Sequence, residues 1–272
     1  MEIISSRSNL KIKQTRALRQ RKARHESGLF IAEGIRPIGE AVDAHAQIAF
    51  IVYTPDRLHS DYAIDLIHQQ NANGVPCYAV TEEVFTSLAE KENPQGILAV
   101  IHQPHTTLAD LKPANFPWGV ALIDPQDPGN VGSILRTVDA VGASGVLLLS
   151  SGPGDEGIVD PYHPSSVRAS MGSLFWHPIV ATSFPEFLIW AVQHHYHIYG
   201  TSAHARTDYR ALAYRWPSIL LMGSEREGLS PGQAAACHEL VSLPMHGRVT
   251  SLNLAVATGV MLYAMLAQTN TA

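Results

Sequence analysis

Two cysteines in 272 residues, Cys77 and Cys237, provide neither a disulfide framework nor a CxxC pair for a zinc ribbon. So low a count fits a reducing compartment, and a cytoplasmic protein is expected. Long apolar runs are missing as well. The opening Met-Glu-Ile-Ile-Ser-Ser-Arg has no apolar core of the kind a secretory leader needs. The most apolar stretch, Leu254 to Leu266, is shorter than a bilayer demands and is interrupted by Thr258 and Gly259. No membrane association is therefore expected. There is no phosphate-binding GxxxxGK[ST] loop and no GxSxG elbow, which removes the commonest nucleotide-hydrolysing and acyl-transferring classes. What remains is an ordinary globular composition, 46% hydrophobic and 16% charged, in a chain long enough to bury a core unaided.

Acidic residues are absent from one segment in particular. Between Arg7 and Arg24 stand eight bases (Arg7, Lys11, Lys13, Arg16, Arg19, Arg21, Lys22 and Arg24) and no carboxylate. The net charge is −5, so setting those eight aside leaves −13 on the rest of the chain. A positive patch segregated on an acidic body is an electrostatic footprint for phosphate, although a solvated helix face has the same composition. On this reading Arg7, Lys11, Lys13, Arg21 and Lys22 are candidate RNA contacts.

Ser8 or Asn9 can cap a basic helix running to about Arg24. Beyond it, Leu29–Gly34 reads as a short buried segment. Helical and strand-like pieces then alternate at Ile35–Ala44, Ile48–Tyr53, Ala63–Gln70, Val75–Val80, Glu82–Ala89 and Ile97–Ile101. That alternation predicts a small α/β domain over residues 1–102. Residues 103–117, with Pro104, Pro113 and Pro117, read as a linker. From 118 to 272 strands are expected at Gly119–Asp124, Val146–Leu149, Ile219–Met222 and Leu240–Leu243. Helices are expected at Asn130–Val141, after Ser230-Pro231, and from about Ser251 to Leu266. Alternating strands and helices imply a parallel sheet with its ligand site at the carboxyl ends of the strands. The final helix is apolar almost all round, so something beyond the sheet, expected to be a second subunit, must cover it.

The carboxyl-end rule singles out three loops. The first is Asp124-Pro-Gln-Asp-Pro-Gly-Asn130-Val-Gly-Ser-Ile-Leu-Arg136, where Gly129 and Gly132 permit a sharp turn and Asn130 is expected to fold back towards the site that Arg136 enters. The second is Met222-Gly223-Ser-Glu225-Arg-Glu227-Gly228, in which glycines flank carboxylates and suggest close approach of a ligand to backbone. The third, Leu243-Pro-Met245 to Ser251-Leu252-Asn253, gathers amides and small polar groups at a helix start.

These three motifs in this order resemble the SpoU (TrmH) family of RNA ribose 2′-O-methyltransferases, in the SPOUT class. The similarity reaches Val167-Arg168-Ala-Ser170-Met-Gly172. It also reaches Asn9-Leu-Lys-Ile-Lys, Phe30-Ile-Ala-Glu33-Gly34 and Asn93-Pro-Gln-Gly96-Ile, which resemble the ribosomal-protein-like substrate domain of the rRNA-modifying branch. The resemblance implies an α/β fold whose C-terminal domain is a parallel sheet with a trefoil knot, an exception to the rule against threading. It implies a homodimer and S-adenosyl-L-methionine as cofactor, with no metal. It implies cofactor contacts from Met222, Gly223, Leu243, Met245, Ser251 and Leu252, catalytic roles for Arg136, Asn130, Glu225 and Asn253, and an RNA contact at Arg168. A guanidinium does not give up its proton, so Arg136 is expected to hold a phosphate and stabilise alkoxide charge rather than act as base.

Large-subunit rRNA is the expected substrate. A tRNA substrate is the alternative within the class, and a non-catalytic RNA-binding assembly factor the alternative outside it. Two further patterns are set aside. Gly152-Pro-Gly154-Asp-Glu-Gly157 matches GxGxxG, but Pro153, Pro161 and Pro164 obstruct the helix that fingerprint requires. His194-His-Tyr-His197 lacks suitably spaced co-ligands and reads as a helix end running into a strand.

Overall fold

Asn9 caps the first helix, its side chain accepting from the Lys11 amide. The basic segment does not continue as one helix to Arg24. In the computed structural model, which describes residues 3–90, 93–152 and 157–269 (the Thr269 side chain excepted), it breaks into α1 (Leu10–Ala17) and α2 (Arg21–Ser27). The reason is Arg24, whose side chain is fully buried. Its Nη1 donates to the carbonyls of Leu18 and Arg19 at 2.7 and 2.8 Å, so a cation satisfies the free carbonyls at the end of α1. α2 then stops at Gly28, which has a φ of 63°.

The chain divides into two compact units, residues 1–105 with 162–175, and residues 106–161 with 176–272. The first continues through β1 (Leu29–Glu33), α3 (Ile35–Asp43), β2 (Ile48–Tyr53), α4 (Asp61–Ala72), β3 (Cys77–Ala79), α5 (Glu82–Thr86) and β4 (Ile97–His102). Its four strands lie in the order β1-β4-β2-β3, with β4 antiparallel to both neighbours and β2 parallel to β3. Ile12 and Leu18 from the basic segment pack with Phe50, Val52, Val84, Phe85 and Leu98 in its core. α1 thus buries Ile12 and Thr15 on one face and leaves Lys13 exposed, with Lys11 and Arg16 half-buried between.

The second unit begins before the first of its strands. Residues 103–117, read from their prolines as a linker, do not stay free: Leu111 and Phe116 are buried in this unit's core. The Leu111 and Phe116 carbonyls accept from Trp190 Nε1 and the Tyr196 hydroxyl at 3.0 and 2.5 Å. There follow β5 (Trp118–Ile123), α6 (Pro128–Val141) and β6 (Val146–Ser150). A short helix, α7 (Pro164–Ala169), belongs to the first unit, where it packs on β1. The second unit resumes with β7 (Ile179–Ser183), α8 (Phe184–Gln193), β8 (His197–Thr201), β9 (Thr207–Asp208), β10 (Ser218–Met222), α9 (Pro231–Ala235), β11 (Glu239–Ser242) and α10 (Leu254–Thr269). The GxGxxG match falls partly outside the described residues, and no helix opens at Gly157. The histidine run is the end of α8 passing into β8.

Seven strands form one parallel sheet in the order β7-β6-β5-β10-β8-β11-β9. Every residue of β5, β6 and β10 is buried, as expected for central parallel strands covered on both faces. The carboxyl ends of β5, β8, β10 and β11 stand side by side, and the loops leaving them carry the chemistry.

Candidate active site

Asp127 caps α6 by accepting from the Gly129 amide, and Pro128 occupies the first turn. The helix therefore begins two residues earlier than its apolar pattern predicts, and Gly129 and Gly132 lie within it instead of making a turn. Asn130 does not fold back towards Arg136. It is a buried residue of the first helical turn, and its side chain points into a polar chain. Arg136 lies six residues on, about 240° round the helix and ~9 Å along its axis. It is exposed, and among the described residues it has no hydrogen-bond or ion-pair partner.

Beyond β10 the backbone closes on itself. Ser224 and Gly228 exchange two main-chain hydrogen bonds of 3.1 and 3.0 Å, and Gly228 takes a φ of 68°. This small loop projects Glu225, Arg226 and Glu227. Glu225 accepts from the Gln126 amide at 3.3 and 3.4 Å and from Asn130 Nδ2 at 3.3 Å. Asn130 Oδ1 accepts in turn from Asn253 Nδ2 at 3.0 Å. Asn253 Oδ1 accepts from the amides of Ala255 and Val256, at 2.9 and 3.3 Å, and so caps α10. That cap fixes the polarity of the whole chain. Because Asn253 must offer its oxygen to the helix, its amide nitrogen faces Asn130. Asn130 must then present oxygen to Asn253 and nitrogen to Glu225. Glu225 receives only donors, which suits an ionised carboxylate.

Next to this chain lies a cavity of about 400 Å³. Met222, Gly223, Leu243, Met245, Ser251 and Leu252, the six residues expected to meet the cofactor, all line it, as does Glu225. Met222 is buried, and its sulfur accepts from Thr201 Oγ1 at 3.6 Å. Gly223 is required by space: a Cβ there would lie 2.2 Å from the Gly228 carbonyl carbon. Glycine at 223 is thus demanded by the packing of its own loop, whose backbone borders the cavity. Reading motifs alone missed the loop after β8, Thr201 to His204, together with Leu254 and Ala257, which also line the cavity. The carboxyl-end rule applied to β8 points to that loop, but its sequence carries no motif to draw attention. Arg136 does not reach the cavity within its own chain.

Comparisons with known proteins place the chain in a family. Residues 117–263 match the SpoU rRNA Methylase family, and residues 9–99 match the MRM3-like substrate binding domain. The chain belongs to the SpoU rRNA methylase family. A 23S rRNA (guanosine(2553)-2'-O)-methyltransferase of Bacillus subtilis (strain 168) is 30% identical, covering 97% of this chain and 98% of its own. A 23S rRNA (uridine(2479)-2'-O)-methyltransferase of Streptomyces viridochromogenes is 33% identical, covering 97% and 92%. Among solved structures, an AdoMet-bound rRNA methyltransferase from Sinorhizobium meliloti superposes with a TM-score of 0.86 at 34% identity, over 97% of this chain and 96% of the other.

The residues expected to meet RNA all lie in the first unit. Lys13 and Arg21 are exposed, whereas Lys11 is half-buried with its ammonium 4.8 Å from the Phe50 ring centroid. Arg7 pairs with Glu83 at 3.1 Å, Lys22 with Glu26 at 3.8 Å, and Arg168 with Glu90 at 3.2 Å. Such exposed pairs are worth about 0–1 kcal/mol each, so a phosphate can exchange for the carboxylate at little cost. Besides Arg24, the bases of this segment include Arg16 and Arg19, which serve the fold through Ser87 Oγ and the Ala89 carbonyl.

Proposed function

We propose that this SpoU-family chain transfers a methyl group from S-adenosylmethionine to a ribose 2′-hydroxyl of large-subunit ribosomal RNA. The single observation that carries the reading is the cavity after β8, β10 and β11, whose walls contain all six expected cofactor residues beside the Asn253–Asn130–Glu225 chain. Relatives of the same length named as 23S rRNA 2′-O-methyltransferases support the substrate class.

The walls fit the cofactor on their own terms. A volume of about 400 Å³ is in the range of small-molecule sites, and Gly223 lines it. Leu243 and Leu252 provide apolar flanks, and the loop amides provide hydrogen bonds. When bound there, S-adenosylmethionine supplies an electrophilic sulfonium methyl. The work left to the protein is to align a ribose hydroxyl and to stabilise charge as its proton leaves. Alignment alone contributes roughly 7–11 kcal/mol when the geometry is near attack. Glu225, bonded to the loop after β5 through the Gln126 amide and to α6 through Asn130, holds a fixed negative wall and keeps the loops after β5 and β10 together. Arg136 keeps its charge, holds a neighbouring phosphate and stabilises the developing alkoxide electrostatically.

Arg136 needs a route to a cavity, and a homodimer provides one. An open groove of about 810 Å³, lined by Val256, Gly259, Val260 and Tyr263 of α10 and by Thr137 of α6, leaves apolar side chains uncovered. Val256 and Tyr263 are 53% and 55% exposed. A second copy seated there buries them and brings Arg136, the neighbour of Thr137, towards that copy's cavity. We read the loops after β10 and β11 as the threads of a trefoil knot, consistent with family membership and with both reaching one cavity. The first unit binds the RNA through its exposed bases, Lys13, Arg21 and Lys22 among them.

Two measurements test the proposal. Calorimetry with S-adenosylmethionine should show one saturable site, and ribose-methylation maps of rRNA from cells with and without the gene should differ at one or a few positions. An RNA-binding assembly factor would leave the map unchanged and show no heat of cofactor binding.

A further inference from the structure

Asp124 is the one non-glycine residue with positive φ in the three loops, among the described residues, with a φ of 42°. Aspartate and asparagine tolerate this conformation better than other side chains, but it still has to be held. Every polar group of Asp124 is engaged. Its amide donates to the Leu149 carbonyl at 2.8 Å, and its carbonyl accepts from Gln126 Nε2 at 3.0 Å. Its carboxylate accepts from the Ser151 amide at 3.0 Å and from the Ser151 hydroxyl. Ser151 Oγ accepts from Gln233 Nε2 at 3.1 Å, and Gln233 Oε1 accepts from the Ser230 amide at 2.8 Å, at the start of α9. The loop leaving β5 is therefore pinned at its first residue to the end of β6 and to α9. Two residues later its backbone donates to Glu225, and six residues later Asn130 does the same.

We propose that Asp124 is a positioning residue for the methyl-transfer reaction: it fixes the loop after β5 so that Gln126 N–H and Asn130 Nδ2 hold Glu225 at the cavity wall. This rests on the methyltransferase reading above. Asp124 does not line the cavity itself, so its effect on the reaction passes through the group its loop holds there, Glu225. Asp124 could instead be a plain turn anchor, worth some stability and nothing more. The two alternatives differ in whether substitution at 124 is felt by Glu225.

The test is a double-mutant cycle with Asp124→Gly and Glu225→Gln. Glycine accepts the backbone angle, so only the carboxylate anchor is lost. In the wild-type background Asp124→Gly should lower kcat by about tenfold with the Kd for S-adenosylmethionine unchanged within about twofold, the scale of a misplaced catalytic surround. In the Glu225→Gln background the same change should cost less than about twofold, because residues acting through one another are not additive. Asp124→Asn, which keeps an acceptor for the Ser151 amide, should restore most of the rate. An equal loss in both backgrounds, or no loss of kcat, overturns the proposal.

A second readout stands apart from turnover. In ¹H–¹⁵N spectra the Gln126 amide of the wild type should move on Glu225→Gln substitution, because it donates to that carboxylate. In the Asp124→Gly background that movement should disappear. If it persists unchanged, Asp124 does not place Glu225, whatever the activity of the enzyme. Absence of methyl transfer by the wild type, with the amide response lost as expected in the variant, would instead overturn the methyltransferase reading and leave the positioning role supported.

Discussion

A methyl group added at residue 223 would stand 2.2 Å from one backbone carbon and 2.4 Å from the Leu229 nitrogen, closer than real Cβ atoms come. Gly223→Ala must therefore push the loop after β10 outward, and Glu225 with it. Calorimetry should show loss of S-adenosylmethionine binding by at least about tenfold, or about 1.4 kcal/mol. Unchanged affinity would mean that this wall is not part of the cofactor site. A second residue-scale expectation concerns pH. Burial, together with the His238 ring at 4.2 Å and the Arg215 guanidinium, pushes the His197 imidazole below its ordinary 6.5, and Glu239 opposes this only in part. A base whose folded pKa is depressed takes up a proton more readily when unfolded, so stability is full above about 6.5 and falls as pH drops through the folded value. His197→Gln should flatten that decline below about pH 6.5 in denaturant melts. An unchanged slope would assign the decline to other groups.

At the scale of elements, α10 and the polar chain share one residue. Asn253 caps the helix with its oxygen and donates to Asn130 with its nitrogen. Asn253→Ala removes both and should cost roughly 1 kcal/mol of stability for the cap. Asn253→Asp keeps an equally good cap but has no amide to donate, so the two roles separate. Its unfolding midpoint should match the wild type, while kcat should fall about tenfold or more, as expected when a fixed donor–acceptor order is broken. A fully active Asn253→Asp would show that the order of the chain is irrelevant.

The same elements explain what could be read in advance. The three loops were legible because glycine, proline and small polar residues at strand ends have few structural uses. Ser230-Pro231 and Gly142 marked their helix boundaries for the same reason. The break between α1 and α2 was not legible, because it depends on Arg24 folding back onto carbonyls of the preceding helix. The burial of Leu111 and Phe116 was hidden by the prolines around them. Asn130 could not be placed either. Pattern alone does not say that Asp127 and Pro128 start the helix early, which turns a loop residue into a helical one.

For the whole molecule, the proposed dimer predicts that methyl transfer needs a second copy. Val256→Glu keeps a residue compatible with helix but places a charge in the groove beside Gly259 and Val260. Sedimentation should show a monomer that still binds S-adenosylmethionine yet transfers no methyl group, because Arg136 has lost its cavity. A dimer with full activity would remove the groove from the mechanism. On the RNA side, reversing Lys13, Arg21 and Lys22 together should weaken RNA binding and lower the salt slope by about 0.7–0.9 for each phosphate that is no longer neutralised. An unchanged slope would exclude that face.

The most direct test of the central claim uses purified protein, S-adenosylmethionine carrying a labelled methyl, and unmodified large-subunit rRNA. After complete digestion the nucleosides are separated and counted. Label is expected in a single 2′-O-methylated nucleoside, about one per rRNA molecule, and at least about a hundredfold less with Arg136→Ala, the scale on which loss of one preorganised charge-stabilising group is felt. Label on a base, or equal label with Arg136→Ala, would contradict it.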